Sequence, residues 1–219
     1  MTRPPEELAA FVRGRTAPAP VPLAPELRTY QATEVTPLWH ATATELAGWD
    51  PSPYWAFPWA GGQALARHLL DAPELVRGRR VFDFAAGSAL GAIAAARAGA
   101  ARVVACDLDP FCAAAMTLNA ALNGVSIELL LRDAIGDPLD GFDVVLAGDV
   151  FYEQPLASRA TAWLSALAGA GKLVLAGDPG RTYSPKNGFT IRATYDVPSV
   201  GDVESAPVLA TRVLQIGGG

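Results

Sequence analysis

The sequence is poor in the residues that build metal centres, disulfide frameworks and polyanion-binding faces. Its 219 residues include 2 cysteines, 2 histidines and 2 methionines. His40 and His68 stand far apart, and Cys106 and Cys112 fall on an expected strand and the helix after it, so no metal set assembles from them. Two thiols make one bridge at most, and a chain of this length and apolar content needs no staples, which points to a reducing compartment. Charged residues make up only 18%, below the roughly 25% of ordinary soluble domains, and the net charge is −5. Without a broad positive field, nucleic acid is excluded as a partner. No run approaches the roughly 18 uninterrupted apolar residues of a spanning helix, so no membrane association is expected. Arg3, Glu6 and Glu7 are not followed by the apolar core of a secretory signal, and the N-terminus lacks the Arg- and Ser-rich, acid-poor character of a mitochondrial presequence. The expectation is a soluble protein, a monomer by default.

What is present is a core. Hydrophobic residues are 51% of the chain and mean hydropathy is +0.22, enough to bury a sizeable apolar interior. Residues 1–15 have helical spacing at Leu8, Phe11 and Val12. The run from Thr16 to Pro25 carries Pro18, Pro20, Pro22 and Pro25 and reads as an extended linker. Glu26 to Thr33 alternates like a strand, and Thr36 with Pro37 opens a short helix over 38–46. Residues 1–49 are thus an arm and linker, and 50–219 form the main domain. That domain starts with an aromatic loop in which Tyr54, Trp55, Phe57 and Trp59 lie among prolines and glycines.

From Gly62 onward, helix and strand alternate. The expected helices are 63–70, 88–98, 110–122 and 155–168, and the expected strands are 80–85, 102–106, 127–131, 142–147 and 172–176. A final strand pair covers 189–195 and 208–215. Apolar strands separated by helices of about ten residues signify a parallel sheet covered on both faces. The fold expected is α/β, Rossmann-like and doubly wound: a mostly parallel seven-stranded sheet with a C-terminal antiparallel strand pair. Ligands in such sheets sit beyond the carboxyl ends of the strands.

The residues at those ends carry the chemistry. Asp83 ends an apolar strand and leads through Ala85, Ala86, Gly87, Ser88 and Ala89 into a helix. Small residues there let a ligand approach the backbone, although a tight strand-to-helix turn explains them equally well. There is no G-x-G-x-x-G. A carboxylate in that strand demands donors or a cation, and it would repel a dinucleotide pyrophosphate. A molecule with an ammonium group and a sulfonium centre, such as S-adenosylmethionine, would be held instead. Asp107 ends the next strand, where a carboxylate either accepts from ribose hydroxyls, with Leu108 against an adenine, or caps the helix that follows. Asp109 reads as the cap of the helix opened by Pro110. Asp133 is either an acceptor for the adenine amino group or a solvated loop acid. Gly148 permits close approach of a ligand, and Asp149 and Tyr152 at the cleft mouth are the catalytic candidates.

Asp83 with its small-residue loop, Asp107, Asp133 and Asp149-Val150-Phe151-Tyr152 together resemble the class I, seven-stranded S-adenosylmethionine-dependent methyltransferases. The D-x-x-Y segment, the run from Pro53 to Leu65 and Gly177-Asp178-Pro179-Gly180-Arg181 resemble the electron transfer flavoprotein β-subunit lysine methyltransferase family. The resemblance covers roughly residues 50 to 216. It implies transfer of a methyl group from S-adenosylmethionine to lysine ε-amines of the flavoprotein β-subunit. Asp149 would meet the incoming ammonium, and Tyr152 and rings of the 54–59 loop would line the lysine channel. Trp59, Asp83, Ala85, Gly87, Asp107, Leu108, Asp133 and Gly148 would hold the cofactor.

Ala85, Ala86 and Ala89 depart from a glycine-richer first loop, and the superfamily's helix before the sixth strand gives way to a loop at 181–188. Asp178 and Arg181 are expected either to pair with each other or to touch substrate. A bacterial, cytoplasmic enzyme is implied. A small-molecule N-methyltransferase, or one acting on another protein, would share every cofactor residue. A nicotinamide-dinucleotide oxidoreductase is opposed by Asp83, and a catalytically silent fold by Asp149 and Tyr152.

Overall fold

A computed structural model describes residues 4–32, 38, 52–199 and 206–217. The expected helix over 38–46 therefore lies, apart from residue 38, outside the described residues.

Helix α1 (Pro5–Arg15) starts with proline in the first turn and Glu6 and Glu7 at the positive end of its dipole, and it buries Leu8 and Val12. It leads into β1 (Thr16–Pro20), which pairs antiparallel with β2 (Arg28–Ala32). The proline run is thus extended but is no free linker. Prolines in a two-stranded ribbon lose few ladder bonds, and Val21, Ala24 and Leu27 of the connecting turn are fully buried against the main core.

A short 3-10 turn (Tyr54–Ala56) precedes α2 (Ala60–Asp71). Strand and helix then alternate through β3 (Arg80–Phe84), α3 (Leu90–Arg97), β4 (Arg102–Asp107), α4 (Pro110–Leu122), β5 (Glu128–Leu131), β6 (Val144–Gly148), α5 (Leu156–Gly169) and β7 (Leu173–Asp178). The chain crosses residues 179–188 without a helix and closes with β8 (Phe189–Pro198) and β9 (Val208–Ile216). Sheet order is β5-β4-β3-β6-β7-β9-β8. The first five strands in that order are parallel, while β9 runs antiparallel to both neighbours. The order reverses between β3 and β6, so the switch point opens where β3, β4 and β6 end.

Alternation along the strands divides the core. Val81, Val103, Ala105, Val144 and Leu146 point to the layer of α2, α3 and α4. Phe82, Phe84, Val104, Val145 and Ala147 point to Trp163, Leu164 and Leu167 of α5. The ribbon docks through α4: Asn119 Oδ1 accepts from Tyr30 N (2.7 Å) and Asn123 Oδ1 from Arg28 N (3.0 Å). Asn119 Nδ2 also donates to Ser88 O at 2.9 Å, tying the N-terminal segment to the loop after β3. None of the described helices is long and apolar enough to cross a membrane.

Candidate active site

A cleft of about 720 Å³ opens beyond the carboxyl ends of β3, β4 and β6. All ten sequence-derived candidates converge on it: Trp59, Asp83, Ala85, Gly87, Asp107, Leu108, Asp133, Gly148, Asp149 and Tyr152 line its walls.

The first wall is built by a turn too tight for ordinary backbone. Ala85 (φ 50°), Gly87 (φ 53°) and Ala89 (φ 63°) all lie in the left-handed region, so α3 starts at Leu90 rather than at the expected Ser88. Small residues minimise the strain of that conformation. Asp83, 3% exposed, accepts from Ala92 N at 2.7 Å and so caps the first turn of α3. An added Cβ on Gly91 would come within 3.0 Å of the same carboxylate, so glycine there lets helix and acid meet. Burial pushes the Asp83 carboxyl up to about 7; the Ala92 bond opposes this and the nearby Asp107 charge adds to it.

Asp107 accepts from Gly87 N (2.9 Å), Leu108 N (2.7 Å) and Asp109 N (3.1 Å), which fixes its carboxylate under the loop. Asp109 caps α4 through Phe111 N at 2.8 Å, the role its position before Pro110 predicts, and burial raises its carboxyl to about 6. Leu108 is 65% exposed on the cleft, an apolar surface without a protein neighbour to cover it. Asp133 stands at the rim in an ion pair with Arg159 (2.7 Å) and accepts from Ile135 N. Asp83, Asp107 and Asp109, none in an ion pair among the described residues, suit a cation far better than a pyrophosphate.

The second wall is glycine-locked. A Cβ on Gly177 would lie 2.0 Å from Gly61 O, and one on Gly61 would lie 2.6 Å from Asp149 Oδ2. A Cβ on Gly148 would meet Gly62 N at 3.1 Å. Gly148 therefore admits the start of α2 while also lining the cleft. This close approach lets Asp149 cap α2, its Oδ2 accepting from Gly62 N at 3.1 Å. Asp149 is itself left-handed (φ 56°), held there by its own N–H to Gly177 O at 3.0 Å.

Arg181 completes this wall. Its Nε (3.1 Å) and Nη2 (2.6 Å) both donate to Asp149 Oδ1, and its guanidinium carbon lies 5.8 Å from the centre of the Trp59 ring. Of the two alternatives for Asp178 and Arg181, the side-chain pair does not form. Asp178, fully buried, instead pairs with Arg212 at 2.8 Å and accepts from Ser184 Oγ and from the backbone N–H of Arg181.

Of the aromatic loop, Tyr54, Phe57 and Trp59 face the cleft, and Tyr54 packs on Tyr152 with ring centroids 5.4 Å apart. Trp55 turns away from the channel expected for it and stacks on Phe111 in the core. Burial raises the Tyr152 hydroxyl well above its ordinary value, helped by Tyr54 and Glu153, so it stays protonated and can donate. The Arg181–Asp149 pair and the Gly61–Gly177 contact escaped sequence reasoning. The traces they left were a Gly-Gly start to a helix and a glycine before Asp178.

Strand order, the antiparallel closing pair and the acidic switch point define a class I methyltransferase fold. The family model described as ribosomal protein L11 methyltransferase (PrmA) matches residues 65–177. The structure of magnesium protoporphyrin IX methyltransferase (ChlM) from Synechocystis PCC 6803 superposes with a TM-score of 0.54 at 18% identity, covering 84% of this chain and 99% of that one, a likeness of fold. The electron transfer flavoprotein beta subunit lysine methyltransferase of Danio rerio is 46% identical over 60% of this chain and 52% of its own length. The Homo sapiens protein of that name is 38% identical over 80% of this chain and 67% of its own. The chain belongs to the electron transfer flavoprotein β-subunit lysine methyltransferase family. It spans 52% of the Danio rerio and 62% of the Rattus norvegicus relative. These relatives are animal proteins, which overturns the expectation of a bacterial, cytoplasmic enzyme.

Proposed function

We propose that the protein is an S-adenosylmethionine-dependent protein-lysine N-methyltransferase acting on the electron transfer flavoprotein β-subunit. The catalytic unit in this reading is the domain from residue 50 onward, with the preceding segment supporting α4. The observation that carries the reading is the pairing of two walls in one cleft: an acidic wall fitted to a cation, facing an aromatic mouth that presents Asp149 and Tyr152. The residues suit the donor molecule. Asp83 and Asp107 would meet its amino group and ribose hydroxyls, Leu108 would cover the adenine face, and Asp133 would stand at the adenine edge. When bound, the donor supplies a methyl group activated on a sulfonium centre.

The protein's own part is to prepare the amine. Lysine in water has a pKa near 10.4, so at neutral pH nearly all of it lacks the lone pair needed for attack. Asp149 receives the ammonium, and Tyr54, Trp59 and Tyr152 shield the approach from water. Asp149 would pass the ammonium proton on to solvent, and the neutral amine nitrogen would then face the methyl carbon that the bound donor would present on its sulfur. Alignment of the three atoms replaces any covalent intermediate with the enzyme.

The test is intact mass spectrometry of purified electron transfer flavoprotein after incubation with this protein and S-adenosylmethionine. Gains in steps of one methyl group, mapped to lysines of the β-subunit, are expected. No gain, with donor binding intact by calorimetry, would move the acceptor to another protein or a small amine.

A further inference from the structure

Arg181 belongs to no established part of the site, yet it is the cation on the cleft wall that grips the catalytic candidate. Two of its nitrogens converge on Asp149 Oδ1, at 3.1 and 2.6 Å, and its guanidinium carbon lies over the Trp59 ring. It is also held from behind: its backbone N–H donates to Asp178 Oδ1 at 3.1 Å, and Asp178 is anchored by Arg212 and Ser184. With side-chain exposures of 21% for Arg181 and 11% for Asp149, the pair is sheltered, where charges act over longer range than in open water.

Any amine presented to Asp149 is therefore presented to a guanidinium as well. A lone carboxylate stabilises an ammonium and opposes its deprotonation, whereas a carboxylate already matched by a fixed cation does not. A second positive charge near the acceptor disfavours its protonated form, the same logic that activates lysines beside other cations. Guanidinium suits this task because it cannot lose its own proton in the working range.

We propose that Arg181 is a positioning residue that both orients Asp149 and, by its fixed charge, raises the fraction of acceptor lysine present as the neutral amine. The inference rests on the lysine-methyltransferase reading. Among the described residues, the charged and titratable groups around the pair include Glu153 and Tyr152 after β6, Tyr54 on the aromatic loop, and Asp178 with Arg212 on β7 and β9. All of them remain in an Arg181 variant, so a change in pH dependence reports the guanidinium itself.

The experiment compares wild type, Arg181→Gln and Arg181→Lys for methylation of purified electron transfer flavoprotein between about pH 6 and 10, with donor affinity measured separately by calorimetry. Expected for Arg181→Gln is a loss of about tenfold at pH 7 that narrows steadily with rising pH, its ascending limb displaced upward by about one pH unit. Arg181→Lys keeps the charge and should retain the wild-type limb. Donor affinity should stay within about threefold throughout. A loss in Arg181→Gln that is constant across pH, or no loss, overturns the inference and leaves the lysine-methyltransferase reading intact. An inactive wild type would remove that reading and the inference together. Should Arg181→Gln fail to show a cooperative thermal transition, Arg181→Lys decides alone, and a displaced limb in that variant contradicts the proposal.

Discussion

Asp83 and Asp149 occupy matching places in two halves of the cleft and live in opposite electrostatic conditions. Each sits at or just beyond the end of a central strand and accepts from the third residue of a helix, Ala92 of α3 for Asp83 and Gly62 of α2 for Asp149. Asp149 is matched by Arg181. Asp83 has no ion pair among the described residues, and its neighbour Asp107 is another acid. The two carboxylates share a backbone device but are prepared for different work. One wall is left short of positive charge, for which a cationic ligand can compensate, while the other is internally neutralised and sterically rigid.

That contrast can be broken most severely at the rigid wall. Gly177→Ala places a Cβ 2.0 Å from the Gly61 carbonyl, a backbone-to-backbone conflict that no rotamer relieves. A loss of at least about 3 kcal/mol is expected, read as a large fall in urea midpoint, with activity lost alongside.

The open wall should respond in the opposite sense. Because the folded state holds the Asp83 proton up to about 7 against an ordinary 3.8, the native protein binds more protons than the unfolded chain between those values. Stability from this group is therefore fullest below about pH 4 and declines as pH rises toward 7. Asp83→Asn should remove that decline and leave the protein at least as stable at pH 8 in thermal unfolding. It should also weaken donor binding by about ten- to hundredfold, since a charge-assisted contact is lost. Tighter binding in Asp83→Asn would show that the donor's cation lies elsewhere. The smallest effect is expected at Leu108, which is 65% exposed. Leu108→Ser should cost about fivefold in donor affinity and leave the unfolding temperature unchanged.

The open wall was also the legible one. A strand ending in an acid and running into small residues carries its chemistry in consecutive positions, so Asp83, Gly87, Asp107 and Leu108 could be placed at neighbouring strand ends from local pattern together with the family resemblance. The closing strand pair and the missing helix at 181–188 were readable for the same reason. The second wall depends on contacts between residues remote in sequence, Gly61 with Gly177 and Asp149 with Arg181. Local pattern left Arg181 between a pair with Asp178, its near neighbour, and contact with substrate, because nothing local marks the left-handed turn that presents Asp149 instead. Trp55 misled likewise, since a loop rich in rings does not reveal which ring the core will claim. The ribbon of β1 and β2 was hidden by prolines that only an isolated two-stranded edge tolerates.

The central claim is that the two carboxylates divide the labour, Asp83 serving the donor and Asp149 the acceptor. Asp149→Asn tests it most directly, because the amide oxygen can still cap α2 through Gly62 while the charge facing Arg181 is gone. Donor affinity by calorimetry and methylation of the flavoprotein by mass spectrometry should be measured on the same preparation. Donor binding within about threefold of wild type and a fall in methyl transfer of about a hundredfold or more are expected. A folded Asp149→Asn protein that methylates at near the wild-type rate would contradict that claim.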